Sequence, residues 1–246
     1  MFFFRKSIDF QKLKNLPLAE WKLLIFRAFS YYLLGLILYT QAFLLTKISN
    51  VAFIGAIPMT AILGFLILKE RFTIKKALLV VVSFFGVVLV SVKDFSNIFV
   101  FGKGELFALA STFFFSLGLI LRKWHSKILN DREIATFILF FATLFVFVVS
   151  LIKNEGPPLG AWPLGAILVL LAGGLLSASV SFLMNYGLSR IDAVLANNIV
   201  ALYPVFATLL ALIFYKEIPM FRELIGGILI ISSAVLLNRL EIETSN

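Results

Sequence analysis

The polar residues set into this chain's apolar runs are neutral. Tyr39, Gln41, Asn197, Asn198 and Tyr203 lie inside or at the edge of long stretches of Leu, Ile, Val and Phe. An unpaired amide or hydroxyl in an apolar medium costs free energy, so each needs a partner. The partner is either a neighbouring helix or a bound solute. Pro58 and Pro204 stand at the middle of their apolar runs. A proline inside a helix frees backbone carbonyls and creates half-helix ends, which are binding groups. The plainer alternative for both is a tolerated kink. Such groups can hold a small molecule, but they cannot move protons. All thirteen Asp and Glu fall in connections or near run ends, His125 is the one histidine, and there is no cysteine. Clustered carboxylates, His or Cys at a shared depth are what hydrolytic or transfer chemistry requires. Neither a metal-ligand spacing nor a phosphate-binding glycine loop occurs. The expected role is therefore binding without catalysis, with no enzyme activity, no cofactor and no metal.

The elements that must carry these groups follow from composition. Hydrophobic residues make up 61% of the 246, and 28 are Phe. Runs of roughly 18 apolar residues are long enough to cross a bilayer. Eight are found, at about 23–46, 48–68, 74–92, 104–121, 134–152, 164–187, 193–215 and 221–238. In lipid each must be helical, because no water is there to satisfy the backbone. The fold class expected is all-α, a polytopic membrane protein. Residues 1–22 carry five Lys and Arg and lack the apolar core of a signal peptide. The net charge of +9 is read as the Lys/Arg enrichment of cytoplasmic connections, not as a nucleic-acid surface. Arg27, one turn into the first run, is expected to snorkel to the interface. His125 is expected on a solvated face, and Ser177, Ser179 and Ser181 in helix packing.

The chain also repeats itself. Lys69-Glu70 and Lys216-Glu217 lie 147 positions apart, each closing an apolar block, and Gly86 aligns with Ser233. Pro58 and Pro204 precede the two blocks, one position out of register. With the N-terminus inside, sixteen of the 22 Lys and Arg fall on the cytoplasmic side. That orientation puts Glu70 inside and Glu217 outside, so the two copies are inverted, a plan common in secondary transporters. Reporters at 70 and 217 are expected to label from opposite sides. Glu70 and Glu217 sit at helix ends, where a structural turn role outweighs substrate contact.

The segments PVFATLLALIFYKE and IGGILIISSAVLL, with PMTAILGFLILKE and FFGVVLV in the first copy, resemble the EamA domain of the drug/metabolite transporter superfamily. The resemblance spans roughly 20–240 and says nothing of the substrate. It implies two inverted five-helix halves. Residues 104–239 would form a complete second half, and 23–92 only three helices of the first. Residues 1–22 would be a basic cytoplasmic segment and 240–246 a cytoplasmic tail. MFFFRK then looks like the end of a missing helix, and two further N-terminal helices are expected in the native protein or from a partner.

The functional expectation is an exporter or exchanger of a small metabolite in the cell membrane, multi-pass with both termini cytoplasmic, working by alternating access. Tyr39, Gln41, Asn197, Asn198 and Tyr203 would bind substrate, Pro58 and Pro204 would break helices, and Glu70 and Glu217 would mark the motif. Expected partners are the substrate, the lipid bilayer and, as an open option, a second copy of the chain; nucleic acid is not among them. With no carboxylate at the centre of any run, proton coupling is not expected. Asp192 and Glu105 come closest, at helix starts that water reaches. The alternative is a non-transporting membrane fragment or assembly partner.

Overall fold

A computed structural model of the chain describes residues 10–46, 48–70, 73–91, 102–154, 162–216 and 218–245. Glu217, the segment 1–9 and the Gly156-Pro157-Pro158 turn lie outside them. The helices are α1 (Phe10–Lys14), α2 (Leu18–Ala28), α3 (Leu36–Leu45), α4 (Ile48–Gly55), α5 (Met59–Leu68), α6 (Ile74–Ser91), α7 (Lys103–Ile120), α8 (Asp131–Ile152), α9 (Leu164–Leu188), α10 (Ala193–Val200), α11 (Tyr203–Tyr215) and α12 (Phe221–Ser245). No strand occurs among the described residues. The chain is an all-α polytopic membrane protein, and each of the eight apolar runs carries helix. Among the described residues, five helices are long and apolar enough to cross a bilayer: Leu18–Leu45, Lys103–Trp124, Asp131–Ile152, Leu164–Leu188 and Phe221–Leu240. α6 is a further apolar helix of 18 residues, and the other two apolar runs hold interrupted helices.

The first rod starts at Leu18, earlier than the apolar run alone indicates. Pro17 caps it with extended backbone, and proline suits a helix start because its missing N–H has no intrahelical partner there. Leu16 and Leu24 are buried against Leu129, Ile134 and Ile138 of the α8 region. Trp21 meets Phe137 edge-on, with ring centres 5.3 Å apart. Between α2 and α3 the residues Phe29–Gly35 wind as a π-helix, a rare insertion that re-aims side chains and recurs at functional sites.

One helix is interrupted at Pro58 and the other by a two-residue turn just ahead of Pro204. α4 ends at Gly55 and α5 begins after Pro58; α10 ends at Val200 and α11 begins at Tyr203, next to Pro204. Each second half then ends on a lysine in the left-handed region, Lys69 at φ 55° and Lys216 at φ 56°. A residue with a Cβ pays about 1–2 kcal/mol to sit there. The N–H groups of Lys69 and Glu70 both reach the Gly64 carbonyl, which satisfies acceptors left open at the helix end. The two copies of the sequence repeat therefore share a break and a matching left-handed turn.

The copies are locked to each other through α5, α6, α10 and α12. Ala61, Val80, Val194, Leu195 and Leu237 form one buried cluster drawn from all four. α6 and α12 make the most extensive helix pair among the described residues. They cross where Gly86 faces Gly226: a Cβ on Gly226 would lie 2.6 Å from the Gly86 carbonyl oxygen. Small residues at a crossing let two backbones approach, which is how helices associate in lipid. Gly86, aligned with Ser233 in the repeat, thus touches Gly226; Ser233 is itself buried, bonding to the Ile230 carbonyl.

Candidate functional site

A polar cavity opens beside the π-helical stretch. Arg27 sits on the last turn of α2 and is 4% exposed. It does not snorkel. Its Nε donates to the Gly118 carbonyl of α7 at 2.9 Å, and its Nη2 donates to Asn185 Oδ1 of α9 at 3.1 Å. Its Nη1 is buried and has no protein partner. Asn185 is fixed in turn: its amide donates to the Ser181 carbonyl at 2.7 Å, and its own carbonyl accepts from Arg122 Nε at 3.2 Å. The cavity holds about 40 Å³, with Arg27, Tyr31, Tyr32, Ser181 and Asn185 as its polar lining. The rest of its wall is Gly118 and apolar side chains, with no carboxylate.

The sequence builds this wall locally. The π-helix turns Tyr31 and Tyr32 onto the side that also carries Arg27. Gly118 allows the approach, since a Cβ there would stand 2.8 Å from Tyr31 Cβ. Ser30 Oγ donates to the Phe114 carbonyl at 2.9 Å, pinning the stretch to α7. The aromatic surface continues away from Arg27. Tyr31 packs on Phe115 at 4.8 Å, and Phe115 on Tyr39 at 5.7 Å.

Charged groups surround one end of the bundle. Asp131 accepts from Arg122 and, at 3.0 Å, from Arg190. Lys76 pairs with Asp192 at 2.5 Å. Glu70 pairs with Lys123 at 2.7 Å and accepts from the Ala193 N–H at 2.8 Å. Asp192 also caps α10 through the Leu195 N–H. Glu70 and Lys76 come from the first repeat, the other partners from the second, so these bonds draw the repeats together at that end. The opposite end has a separate knot: Glu105 accepts from Thr46, from Asn50 at 2.8 Å and from the Gly102 N–H at 2.9 Å. Glu105 is buried there, contrary to the expected wet helix start.

His125 is another correction. It is buried, not on a solvated face, with Nδ1 2.7 Å from Glu20 Oε2. Burial, aided by the nearby Arg27 and Arg122 guanidinium groups and opposed by Glu20, pulls its pKa down to about 4. The folded protein keeps this imidazole neutral below the ordinary value of 6.5, while the unfolded chain takes up the proton. Stability present above pH 6.5 is therefore lost as pH falls toward 4. The melting temperature in detergent is expected to decline across that window. His125→Gln should flatten the decline between pH 6.5 and about 5, before carboxylates titrate; an unchanged profile would contradict the assignment.

The expected site residues fall in different places. Tyr39 is partly exposed on the aromatic surface just described. Tyr39 and Tyr203, from different repeats, lie within electrostatic reach of each other. Gln41 and Asn197 are half-buried. Asn198 is fully buried, and neither its Oδ1 nor its Nδ2 has a partner. Glu70 is a clamp between repeats; Glu217 lies outside the described residues. Pro58 and Pro204 mark the two helix breaks. Arg27, Tyr31, Tyr32, Ser181 and Asn185 were not expected as site residues. The available signal was Arg27 itself, since a charge inside a spanning segment is a functional position by default.

The model of the EamA-like transporter family matches residues 1–92 and 102–239. The chain belongs to this family. Among solved structures, one described only as "Crystal structure of protein" is similar to it, with a TM-score of 0.74 and 19% identity over 94% of this chain and 80% of that one. That likeness concerns the fold. No curated protein matches the chain. Membership makes this a multi-pass membrane protein of a transporter family.

Proposed function

We propose that the chain is a carrier of a small metabolite, moving it by alternating access between two inverted repeats. The observation that carries the reading is the pair of broken helices. α4/α5 and α10/α11 are each interrupted beside a proline and each end in the same left-handed Lys. Interrupted helices in corresponding positions of two repeats supply backbone groups for a substrate site near mid-membrane. Asn198, at the end of α10 nearest its break, has an amide that no protein group satisfies. Tyr39 and Tyr203 contribute hydroxyls from the two repeats, with Gln41 and Asn197 nearby in sequence. The membrane is the cell membrane, with the end rich in Lys and Arg on the cytoplasmic side. The ion pairs of Glu70 and Lys76 with the second repeat then close the cytoplasmic end in this conformation.

The buried carboxylates Glu20, Glu105 and Glu133 all lie in the first turn of their helices. None is at a helix centre, where proton-coupled carriers keep a titrating group. Transport therefore follows the substrate gradient. The test is uptake by liposomes carrying the 246-residue protein, using radiolabelled small metabolites with and without an imposed pH gradient. Uptake should track the substrate gradient alone and fall at least fivefold in Asn198→Ala. Accumulation that requires the pH gradient, or full activity in that variant, would refute the assignment.

A further inference from the structure

We infer that Arg27 anchors a small anion, the carboxylate of the transported metabolite. The inference rests on the carrier reading and narrows its substrate class. A guanidinium offers five N–H donors in a planar fork. Here Nε and Nη2 are spent on two neutral oxygens, those of Gly118 and Asn185. The remaining nitrogen, Nη1, is buried and unpartnered on a residue that lines the cavity.

Nothing in the wall balances the charge. The neighbouring arginine, Arg122, has Asp131, and Glu20 is engaged by His125 and the Ser126 N–H. Arg27 has only neutral oxygens. A cation held away from water without a counter-charge is costly, and an anion supplied from outside relieves it. The one nitrogen left over, Nη1, can give a carboxylate oxygen a charge-assisted hydrogen bond, which is stronger than one to a neutral acceptor.

Size and lining agree with that chemistry. About 40 Å³ exceeds what one water requires, so the cavity has room for a group larger than a water. Tyr31 and Tyr32 can donate to the carboxylate's second oxygen. The aromatic surface through Phe115 to Tyr39 offers a course for the apolar remainder. The π-helical residues Tyr31 and Tyr32 line the same cavity as Arg27 of α2, and such insertions are rare and recur at functional sites.

The test is titration calorimetry on the purified protein in detergent, in a low-ionic-strength Tris–HEPES buffer free of chloride and of carboxylates. The probes are acetate, lactate and phenylacetate, with acetamide and phenylacetamide as neutral partners, and with chloride and inorganic phosphate as simple ions. Saturable binding of at least one carboxylate, tenfold or more tighter than its amide, is expected. Arg27→Gln should abolish it. Arg27→Lys, which keeps the charge but loses the fork, should fold and bind about tenfold more weakly. Tyr32→Phe should weaken binding without changing the preference for the acid. If Arg27→Gln does not fold, the Lys and Phe variants decide the matter by the same criteria.

No carboxylate binding, equal binding of acid and amide, or unaltered binding in Arg27→Lys would overturn the inference. Binding of chloride or phosphate alone would also overturn it, since it would make the site a resident counter-ion pocket. Liposome uptake separates the two claims. Acid binding without any transport leaves the site and removes the carrier; transport of neutral solutes without acid binding leaves the carrier and removes the site.

Discussion

Gly226→Val is expected to cost the protein most of its folded yield. The new Cβ would stand 2.6 Å from the Gly86 carbonyl oxygen, 2.8 Å from Val90 Cγ2 and 2.9 Å from Leu89 Cβ. A backbone oxygen inside a helix cannot swing aside, so α6 and α12 must separate. That separation strips Ile230 of its contacts with Val87 and Val90. Overpacking alone costs about 1–3 kcal/mol, and the lost contacts add to it. Because α6 belongs to the first repeat and α12 to the second, the damage is global. Melting in detergent and the monodisperse fraction on size exclusion should both fall sharply, with Gly226→Ala intermediate. Gly173→Val is the control, since nothing lies within 4 Å of a Cβ there. A Gly226→Val protein that melts like Gly173→Val would refute the crossing.

Glu70→Ala should be the second most damaging change. It removes the acceptor of the Ala193 N–H at the start of α10, and it leaves Lys123 without its carboxylate. The Glu70 side chain is 14% exposed, so water replaces it poorly. Loss of this partly buried pair together with the bond to the Ala193 N–H should cost about 1–3 kcal/mol, between an exposed and a fully buried ion pair. Glu70→Gln keeps an acceptor for the N–H and gives up only the charge, so its loss should be near 1 kcal/mol. The charge reversal Glu70→Lys with Lys123→Glu should fail to rescue, because a lysine cannot accept from Ala193. If the reversal restores the melting temperature, the bond to α10 contributes nothing and Glu70 is only an ion-pair partner. The same variants bear on transport, since these bonds must open if the charged end is to admit substrate.

Much of the architecture was legible in the residues themselves. Eight apolar runs call for helix in each, because lipid leaves the backbone no other way to satisfy its hydrogen bonds, and each carries helix. The repeated Pro, apolar block and Lys-Glu turn marked where each copy could be interrupted and where it ends, since proline removes a donor; the left-handed lysines are a finding of the structure. The repeated pattern is a local constraint, and local constraints are written in local sequence. The cavity was not readable in the same way. Arg27, Gly118 and Asn185 are separated by 91 and 158 positions where they bond, and no periodicity links them. Arg27 one turn inside an apolar run reads as a snorkelling side chain until α7 and α9 are seen to close over it. His125 and Glu105 were misplaced for the same reason: whether water reaches a helix end depends on what another helix lays across it. Sequence alone determined that this chain is an all-helical membrane protein carrying the same Pro, apolar block and Lys-Glu pattern twice. Only the tertiary structure decided which polar groups are sealed from water, because burial is a property of neighbours that the chain brings together from far apart.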